Sequence, residues 1–497
     1  MKISQVIYAG EQLTTGDFGD LEFEKICRDF RDADETSLFF LLKGVKYDTK
    51  KLLPEIIKKA PVAIVSDCLT EEFHCEIPII RVKNARRAIA FAYARMYNLD
   101  TEKTKFIGIT GTNGKTTTAT MLYRALVEDG RRAGFIGTGK IIFLDETLTD
   151  SRYSMTTPDP EILYPAIKRM QDMDCEFIVM EVSSHALALE KCAPISFNIA
   201  IFTNLSEEHL DFHRDMEDYR EAKLKLFNNA KIGIFNADDA HTESMIRDSS
   251  CAVIRAGAVW DAEVVARKIE DFGLLGIRYL YSSEGLSFFV KLKIIGIYNV
   301  YNSMLALTAA IFSGIKPCVA KKAISKIDSI DGRGEIIYDD VTVIIDYAHT
   351  TTALESILKT AIKSRKKQSA IITVFGCGGE RDREKRPKMG RVAESLSDFV
   401  IITSDNCRKE PPEEIANEIL SGMRDESKRK VILNREMAIE YAIASANKGD
   451  TILLIGKGHE RYNIDQEGLH EFDERNIIAN ALKKRKEGHN SKYENTP

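Results

Sequence analysis

The chain has 497 residues, 44% of them hydrophobic and 29% charged, with a formal net charge of -5 at pH 7. That balance belongs to an ordinary soluble globular protein and gives no global pull toward nucleic acid or an anionic membrane. No apolar run approaches the roughly 20 residues that span a bilayer, and Met1-Lys2-Ile3-Ser4-Gln5 lacks the apolar core of a secretory leader. Cys27, Cys68, Cys75, Cys175, Cys192, Cys251, Cys318, Cys377 and Cys407 are scattered, odd in number and never spaced CxxC. A disulfide framework is not expected, and a reducing cytoplasm is.

Short apolar runs at 63–65, 106–109, 177–180, 341–345, 370–374, 399–402 and 452–455 alternate with helical patterns. The alternation predicts an α/β protein of βαβ units with mainly parallel sheets. Length alone suggests roughly three domains. The polar stretch 98–103, after a helix at 85–96, marks one boundary. Asp-Ser-Ile-Asp-Gly-Arg-Gly at 328–334 marks the other. The expected units are 1–99, 100–330 and 331–497, with the charged tail 483–497 frayed.

Residues 108–118 read Gly-Ile-Thr-Gly-Thr-Asn-Gly-Lys-Thr-Thr-Thr, directly after an apolar run. A strand entering a glycine-rich turn that opens a helix cradles phosphate with backbone N–H groups. Lys115 would reach the terminal phosphates and Thr116 would carry Mg²⁺. The spacing departs from GxxxxGK[ST], because Ile109 stands where that motif has glycine. Glu181 ends the run 177–180, where a carboxylate gives the second support for Mg²⁺. His209 and His213 lie four apart after another strand, a pair that by itself more often forms a solvated face. Loops beginning at Asp346, Gly376, Ser404 and Gly456 follow four strands, and in a doubly wound sheet they converge on one edge. Their mixture of Asp, Glu, Arg and His suits a small zwitterionic ligand.

Taken in order, Gly111–Thr118, Thr156-Thr157-Pro158-Asp159, Glu181–His185, Thr203–His213, Tyr219–Lys223, Tyr298–Asn302, Gly332-Arg333, Asp346–His349, Gly376–Pro387, Asp405–Arg408 and Gly456–Glu460 resemble the Mur ligase family. Within it they are most similar to the UDP-N-acetylmuramoyl-tripeptide synthetase branch of peptidoglycan precursor synthesis. The resemblance implies a UDP-binding α/β domain, a central P-loop ATPase and a C-terminal Rossmann-like domain. It implies ATP-driven amide formation through an acyl phosphate, with two Mg²⁺ ions. For ATP it points to Gly111, Thr112, Asn113, Gly114, Lys115, Thr116, Thr117, Asn299, Asn302, Arg333 and Asp346. For metal it points to Thr116, Glu181 and His209, and for catalysis to Lys115, His209 and a carbamylated Lys223. For the muramoyl substrate it points to Thr156, Thr157, Ser184 and Lys191, and for the incoming amino acid to Arg386, Asp405, Asn406, Arg408, Gly456 and Glu460.

Diaminopimelate-adding members carry Asp-Asn-Pro-Arg, whose arginine meets the distal carboxylate of meso-diaminopimelate. Here the loop is Asp405-Asn406-Cys407-Arg408, with the arginine kept and proline's fixed φ lost, which is expected to loosen it. The implied reaction adds meso-diaminopimelate to UDP-N-acetylmuramoyl-L-alanyl-D-glutamate in the cytoplasm, by a monomer with small-molecule substrates and no nucleic-acid or membrane partner. In the first unit, Phe30 replaces the family serine that contacts UDP, and Asp48-Thr49-Lys50 replaces Asp-Gly-His. The alternatives are addition of L-lysine or another diamino acid, and a family paralogue acting on a different carboxylate. A nucleotide switch would need no Lys223, His209 or amino-acid loop. A poly-amino-acid synthetase would need no Asp-Asn-x-Arg.

Overall fold

A computed structural model describes residues 1–8, 11–13, 18–44, 48–70, 73, 75–148, 155–258 and 262–493. Each of the seven apolar runs forms a strand that is buried along nearly its whole length, as parallel sheets covered on both faces require. Among the described residues the strands make three large sheets and one hairpin. The first sheet holds β1 (Lys25–Cys27), β2 (Ser37–Leu41), β3 (Ala63–Ser66) and β4 (Ile79–Arg81), paired in that order and all parallel.

The second sheet is built from β5 (Lys105–Thr110), β6 (Ala133–Gly137), β7 (Lys140–Phe143), β8 (Glu146–Thr147), β9 (Phe177–Glu181), β10 (Phe197–Phe202), β11 (Ala230–Asn236), β12 (Ala252–Gly257), β13 (Val264–Asp271), β14 (Ile277–Ser283) and β15 (Leu286–Leu292). Its order is β15-β14-β13-β12-β11-β10-β5-β9-β6-β7-β8. The strands from β13 to β6 are parallel, and an antiparallel extension closes each end. One face packs against the helices Lys115–Glu128, Tyr298–Phe312 and Pro317–Ser325. The other shares a core with Ala85–Met96, Pro160–Asp172 and Met216–Phe227, so the first sheet and the second are welded through Leu38, Phe40, Ile89 and Tyr164.

The third sheet holds β16 (Arg333–Tyr338), β17 (Thr342–Asp346), β18 (Ile371–Phe375), β19 (Phe399–Ile402), β20 (Arg429–Val431) and β21 (Thr451–Ile455) in the order β16-β17-β21-β18-β19-β20. Only β16 runs antiparallel. The strands β17, β21, β18 and β19 are therefore neighbours and parallel, and the four loops singled out in the sequence leave one edge together. The hairpin β22 (Tyr462–Asp465) and β23 (Gly468–Glu471) leans over that edge. Among the described residues no helix is long and apolar enough to cross a membrane.

The expected fraying of the tail is corrected. A helix spans Glu474–Tyr493, and residues 494–497 lie outside the described residues. Arg485 pins it, donating to Asp340 at 2.8 Å and to the carbonyls of Ile443 and Ala446 at 2.7 Å each. Its root is held by a buried pair. Arg435 Nε donates to Glu474 Oε1 at 2.7 Å, and its Nη2 donates to the Ile455 carbonyl at 2.9 Å. Removing one member of such a pair leaves an uncompensated charge inside the protein. Arg435→Met is expected to lower the unfolding free energy by about 3–5 kcal/mol, read from urea denaturation. Lys484→Met, at an exposed pair with Glu440, is expected to change it by less than about 1 kcal/mol.

Candidate active site

β5 ends at Thr110, and the loop 111–114 delivers the chain to the helix Lys115–Glu128. Ile109 is fully buried inside β5, so the departure from the usual spacing reflects a loop that starts at Gly111. Gly114, at φ +86°, caps the helix, and any Cβ there would strike Asn302 Oδ1. The loop is braced by the residues after β10. Thr112 N donates to the Asn204 carbonyl at 2.8 Å, Asn113 N to Asn204 Oδ1 at 2.9 Å, and Thr203 Oγ1 to the Asn113 carbonyl at 2.6 Å. Lys115 folds back, its Nζ donating to the carbonyls of Gly111 and Thr112 at 2.9 Å each. Burial of that ammonium pushes its pKa down to about 8. Thr117 is buried in the first turn.

β5 and β9 are register partners at Ile109 and Glu181, which brings the Glu181 carboxylate to the helix start. Thr116 Oγ1 donates to Glu181 Oε2 at 2.8 Å, and Thr138 donates to Glu181 through its N–H at 3.0 Å and its hydroxyl at 3.2 Å. Thr138 carried no motif in the sequence; only its place at the end of β6, beside β9, reveals it. Its hydroxyl also reaches Thr156 Oγ1 at 3.2 Å. Thr157 is held between the Glu181 carbonyl and Ser183 N, at 3.0 Å each. Lys191 pairs with Asp159 at 2.7 Å, and Asp159 in turn pairs with Arg28 of the first unit at 2.5 Å. Ser184 Oγ lies 3.0 Å from His213 Nε2, so His213 serves that contact and Asp218 at 3.4 Å.

Lys223 lies on the buried face of Met216–Phe227, contrary to a solvated lysine. Its Nζ sits 4.4 Å above the Tyr219 ring, and among the described residues no carboxylate pairs with it. Burial, with Lys115 nearby, drives its pKa well below the usual lysine range. Burial likewise holds His209 well below the imidazole range, with His185, Lys115 and Lys223 adding repulsion. The His185 and His209 rings are 4.8 Å apart, and His185 is pushed down to about 4. Lys115, Lys223, His185 and His209 thus form a nitrogen-rich pocket, with the carboxylates of Glu181 and Glu208 acting on Lys115 and that of Asp211 on His185, an arrangement of perturbed groups that marks a candidate ligand site.

From across the cleft, Arg333 Nη2 reaches Thr116 Oγ1 at 3.3 Å, while its guanidinium lies 4.4 Å from the Tyr347 ring centre. Among the described residues, Arg333 Nε is buried without a hydrogen-bond partner. Asn302 Nδ2 donates to Asn299 Oδ1 at 2.9 Å, and Asn299 Nδ2 donates to the Ile295 carbonyl at 2.7 Å. Asp346 accepts from Gly334 N at 2.6 Å and Ala348 N at 2.8 Å, which makes it a staple of the β16–β17 corner.

The loops of the third sheet gather Asp405, Asn406, Arg408, Gly456 and Glu460. Asn406 is the hub: its Nδ2 donates to Glu460 Oε2 at 2.7 Å, and its Oδ1 accepts from Lys457 Nζ and Ile464 N at 3.0 Å each. Lys457 also lies 3.5 Å from Asp405. Gly456, at φ +112°, lets the backbone pass Asp405. Arg408, at φ +53°, donates to the carbonyls of Gly379 and Asn406 at 2.8 and 3.1 Å. Burial lowers its pKa, and Arg381 lowers it further. Arg386 touches the glycine-rich loop, donating to the Gly378 carbonyl at 3.1 Å, but its charge is paired elsewhere. It is fully buried on Glu410 at 2.9 Å and Glu418 at 2.8 Å, because it occupies the inward face of the helix Lys385–Leu396. Arg381, in the glycine-rich loop and half exposed, is the second guanidinium beside Arg408. Phe30, in the first unit, lines a separate cavity of about 770 Å³ with Arg28, Gly44, Thr49, Arg86 and Tyr93.

The depressed pKa of Lys115 has a measurable sign. A phosphate contact needs the ammonium, which is present below about pH 8 and lost above it. Calorimetric titration with ATP is expected to show an affinity flat below about pH 8 and falling by up to about tenfold per pH unit above it. Lys115→Met is expected to weaken binding and abolish that slope.

Comparison with known proteins agrees with this architecture. The Mur ligase middle domain matches residues 109–310, and the Mur ligase glutamate ligase domain matches residues 332–458. A protein of Caldanaerobacter subterraneus subsp. tengcongensis, named UDP-N-acetylmuramoyl-L-alanyl-D-glutamate--2,6-diaminopimelate ligase, is 38% identical over 467 residues, covering 93% of this chain and 95% of that one. One of Clostridium acetobutylicum, with the same name and the number 1, is 36% identical over 481 residues, covering 94% and 98%. A solved structure of a UDP-N-acetylmuramoyl-L-alanyl-D-glutamate--2,6-diaminopimelate ligase superposes with a TM-score of 0.67 at 27% identity, over 98% of this chain and 99% of that one. Folylpolyglutamate synthase of Mycobacterium tuberculosis, solved with ADP and AMPPCP, shares the fold at 17% identity, with a TM-score of 0.62 over 74% and 92%. With two family domains in sequence and full-length relatives above 35% identity, the chain belongs to the Mur ligase family.

Proposed function

We propose that this chain is an ATP-dependent ligase that joins meso-diaminopimelate to UDP-N-acetylmuramoyl-L-alanyl-D-glutamate, the substrates in its relatives' names. The observation that carries the reading is the pairing of two sites: a buried nitrogen-rich pocket around Lys115, Lys223 and His209, and the guanidiniums of Arg408 and Arg381 at the sheet edge across the cleft. The first suits a triphosphate beside a carboxylate. The second suits a free carboxylate on the incoming amino acid. Residues 1–99 would bind UDP in the cavity at Phe30, 100–330 would bind ATP, and 331–497 would bind the amino acid.

In this reaction the substrate carboxylate attacks the γ-phosphorus of ATP, releasing ADP and forming an acyl phosphate. The amine of the amino acid then attacks the acyl carbon, and the tetrahedral adduct loses phosphate and a proton to leave the amide. Lys115 would hold the β- and γ-phosphates over the loop Gly111–Gly114, which Asn204 shapes by accepting from the N–H groups of Thr112 and Asn113. Arg333, with its unpartnered Nε, offers charge to the γ-phosphate from the other side of the cleft. Asn299 and Asn302 border the base. Thr156, Thr157, Ser184 and Lys191 line the approach of the muramoyl peptide. Closure excludes water from the acyl phosphate. The hydroxyl of Thr116 and the carboxylate of Glu181 are hard oxygen donors already in contact, a donor set that fits Mg²⁺, with His209 as a neutral ligand for a second ion. Bound there, Mg²⁺ would neutralise the charge that keeps a triphosphate and a carboxylate apart.

Burial favours the uncharged amine of Lys223, the form that adds CO₂ to give a carbamate and a proton, and a carbamate would place an anion where no carboxylate pairs with Lys223 among the described residues. With ¹³C-bicarbonate, the folded protein is expected to show a carbamate resonance that Lys223→Gln abolishes.

Phosphate release in the presence of UDP-N-acetylmuramoyl-L-alanyl-D-glutamate, ATP and Mg²⁺ tests the whole reading with meso-diaminopimelate, L-lysine and L-ornithine compared. Diaminopimelate is expected to give the highest kcat/KM. A hydrogen bond to a charged group contributes about 1.5–3 kcal/mol, so Arg408→Ala is expected to lower that value roughly 10- to 100-fold while leaving L-lysine no worse. Equal use of L-lysine by the unaltered protein overturns the choice of amino acid. Phe30 favours one other reading, a family member acting on a different carboxylate, because its ring cannot make a serine's hydrogen bond to UDP. No phosphate release with any of the three amino acids would select it.

A further inference from the structure

Where the third sheet meets the loop after β10, three cations face three anions. Arg381, Lys385 and Lys388 lie on or just before the helix Lys385–Leu396, and Glu207, Glu208 and Asp211 flank His209. The outer contacts are loose: Lys388 to Glu207 at 3.5 Å, with both side chains more than half exposed, and Arg381 to Asp211 at 4.0 Å. The central one differs. Lys385 Nζ donates to Glu208 Oε1 at 3.1 Å, and the two side chains are only 11% and 7% exposed. Exposed pairs contribute little, whereas a pair removed from water sets a strict geometric condition: each charge must find the other or return to solvent. This pair forms only when the two faces are in contact.

Glu208 directly precedes His209, whose backbone sits at φ +60°, a region uncommon for a side chain other than glycine. The His209 carbonyl accepts from Phe212 N at 3.0 Å and from His213 N at 2.9 Å, forming a tight turn. A side chain anchored at 208 therefore bears on the orientation of the imidazole at 209. At the other end, Lys385 adjoins Arg386, which is clamped by Glu410 and Glu418 and so gives the contact a rigid base.

We propose that Glu208 and Lys385 are positioning residues whose pair locks the amino-acid-side helix onto the loop carrying His209, so that the phosphate-side residues take up their working arrangement only when the third unit has docked. This rests on the ligase reading above. It makes the pair a coupling element between amino-acid capture and phosphoryl transfer, distinct from the groups that touch either substrate.

The full-length chain tests it with Glu208→Lys, Lys385→Glu and the double reversal. Each is measured by phosphate release with meso-diaminopimelate and Mg²⁺ varied, and by small-angle scattering without ligands. Each single reversal is expected to lower kcat by about 100-fold or more and to enlarge the radius of gyration. The double reversal is expected to restore kcat to within about tenfold of the unaltered protein and to restore the radius. A double reversal as inactive as the worse single overturns the proposal, because Lys385 would then act on substrate directly. Single reversals with unchanged kcat and radius overturn it as well. If a reversal fails to fold by circular dichroism, the neutral variants Glu208→Gln and Lys385→Met replace it. They are expected to raise the Mg²⁺ concentration needed for half-maximal rate, and an unchanged Mg²⁺ dependence overturns the proposal. Absence of turnover in the unaltered protein would count against the ligase reading, while the scattering comparison still decides the pair.

Discussion

The contact between Thr116 and Glu181 organises the centre of this molecule. It exists because β5 and β9 are parallel neighbours whose register sets the end of one beside the carboxylate that ends the other. A buried carboxylate needs hydrogen-bond donors, and they come from two separate elements: the Thr116 hydroxyl at the helix start, and the N–H and hydroxyl of Thr138 just after β6. β10, on the far side of β5, supplies the residues that brace the phosphate loop. Arg333 arrives from the boundary with the third unit and touches the same threonine. A shift in strand register by one residue would turn Glu181 to the opposite face and dissolve this arrangement.

Around that contact the electrostatics are lopsided. Lys115, Lys223, His185 and His209 are buried, and loss of hydration is the main force pushing them toward neutral forms, with repulsion from neighbouring cations adding to it. The third unit works the opposite way: its loops interlock Asp405, Asn406, Lys457 and Glu460 into a satisfied network and leave Arg408 and Arg381 at the rim. One site is a buried cluster of nitrogen groups, and the other is a hydrogen-bonded loop network flanked by a part-buried Arg408 and a half-exposed Arg381.

Much of the fold was legible because its strands are continuous apolar runs that end in glycine or acidic residues. The run 399–402 coincides with β19, and the helix at 85–96 with Ala85–Met96. What escaped reading had no such contrast. β20 is a three-residue edge strand of Arg, Lys and Val, and the antiparallel ends of the second sheet carry mixed patterns. The charged tail hid a helix because its anchors, Asp340 and the carbonyls at 443 and 446, come from distant parts of the chain. At the site, Thr138 acts through its position after β6 and leaves no motif, and the bracing role of Asn204 shows only in its contacts with the phosphate loop. Arg386 and Arg381 lie five apart in one motif with the same chemistry. The start of the helix at Lys385 separates them: Arg386 falls on its inward face against Glu410 and Glu418, while Arg381 stays in the preceding loop, half exposed.

The loop at 405–408 lacks the proline that would stiffen it by covalent geometry. The amide of Asn406 takes over that duty, bonding at once to Glu460, Lys457 and the backbone of Ile464. A pyrrolidine ring constrains one dihedral angle permanently and independently of its surroundings. Three hydrogen bonds from one side chain constrain the loop only while three other segments stay in place. The stiffness of this loop is thus borrowed from its neighbours, so the recognition surface and the sheet edge beneath it form a single mechanical unit, and Cys407 contributes to it by burying its side chain in the core of the third unit.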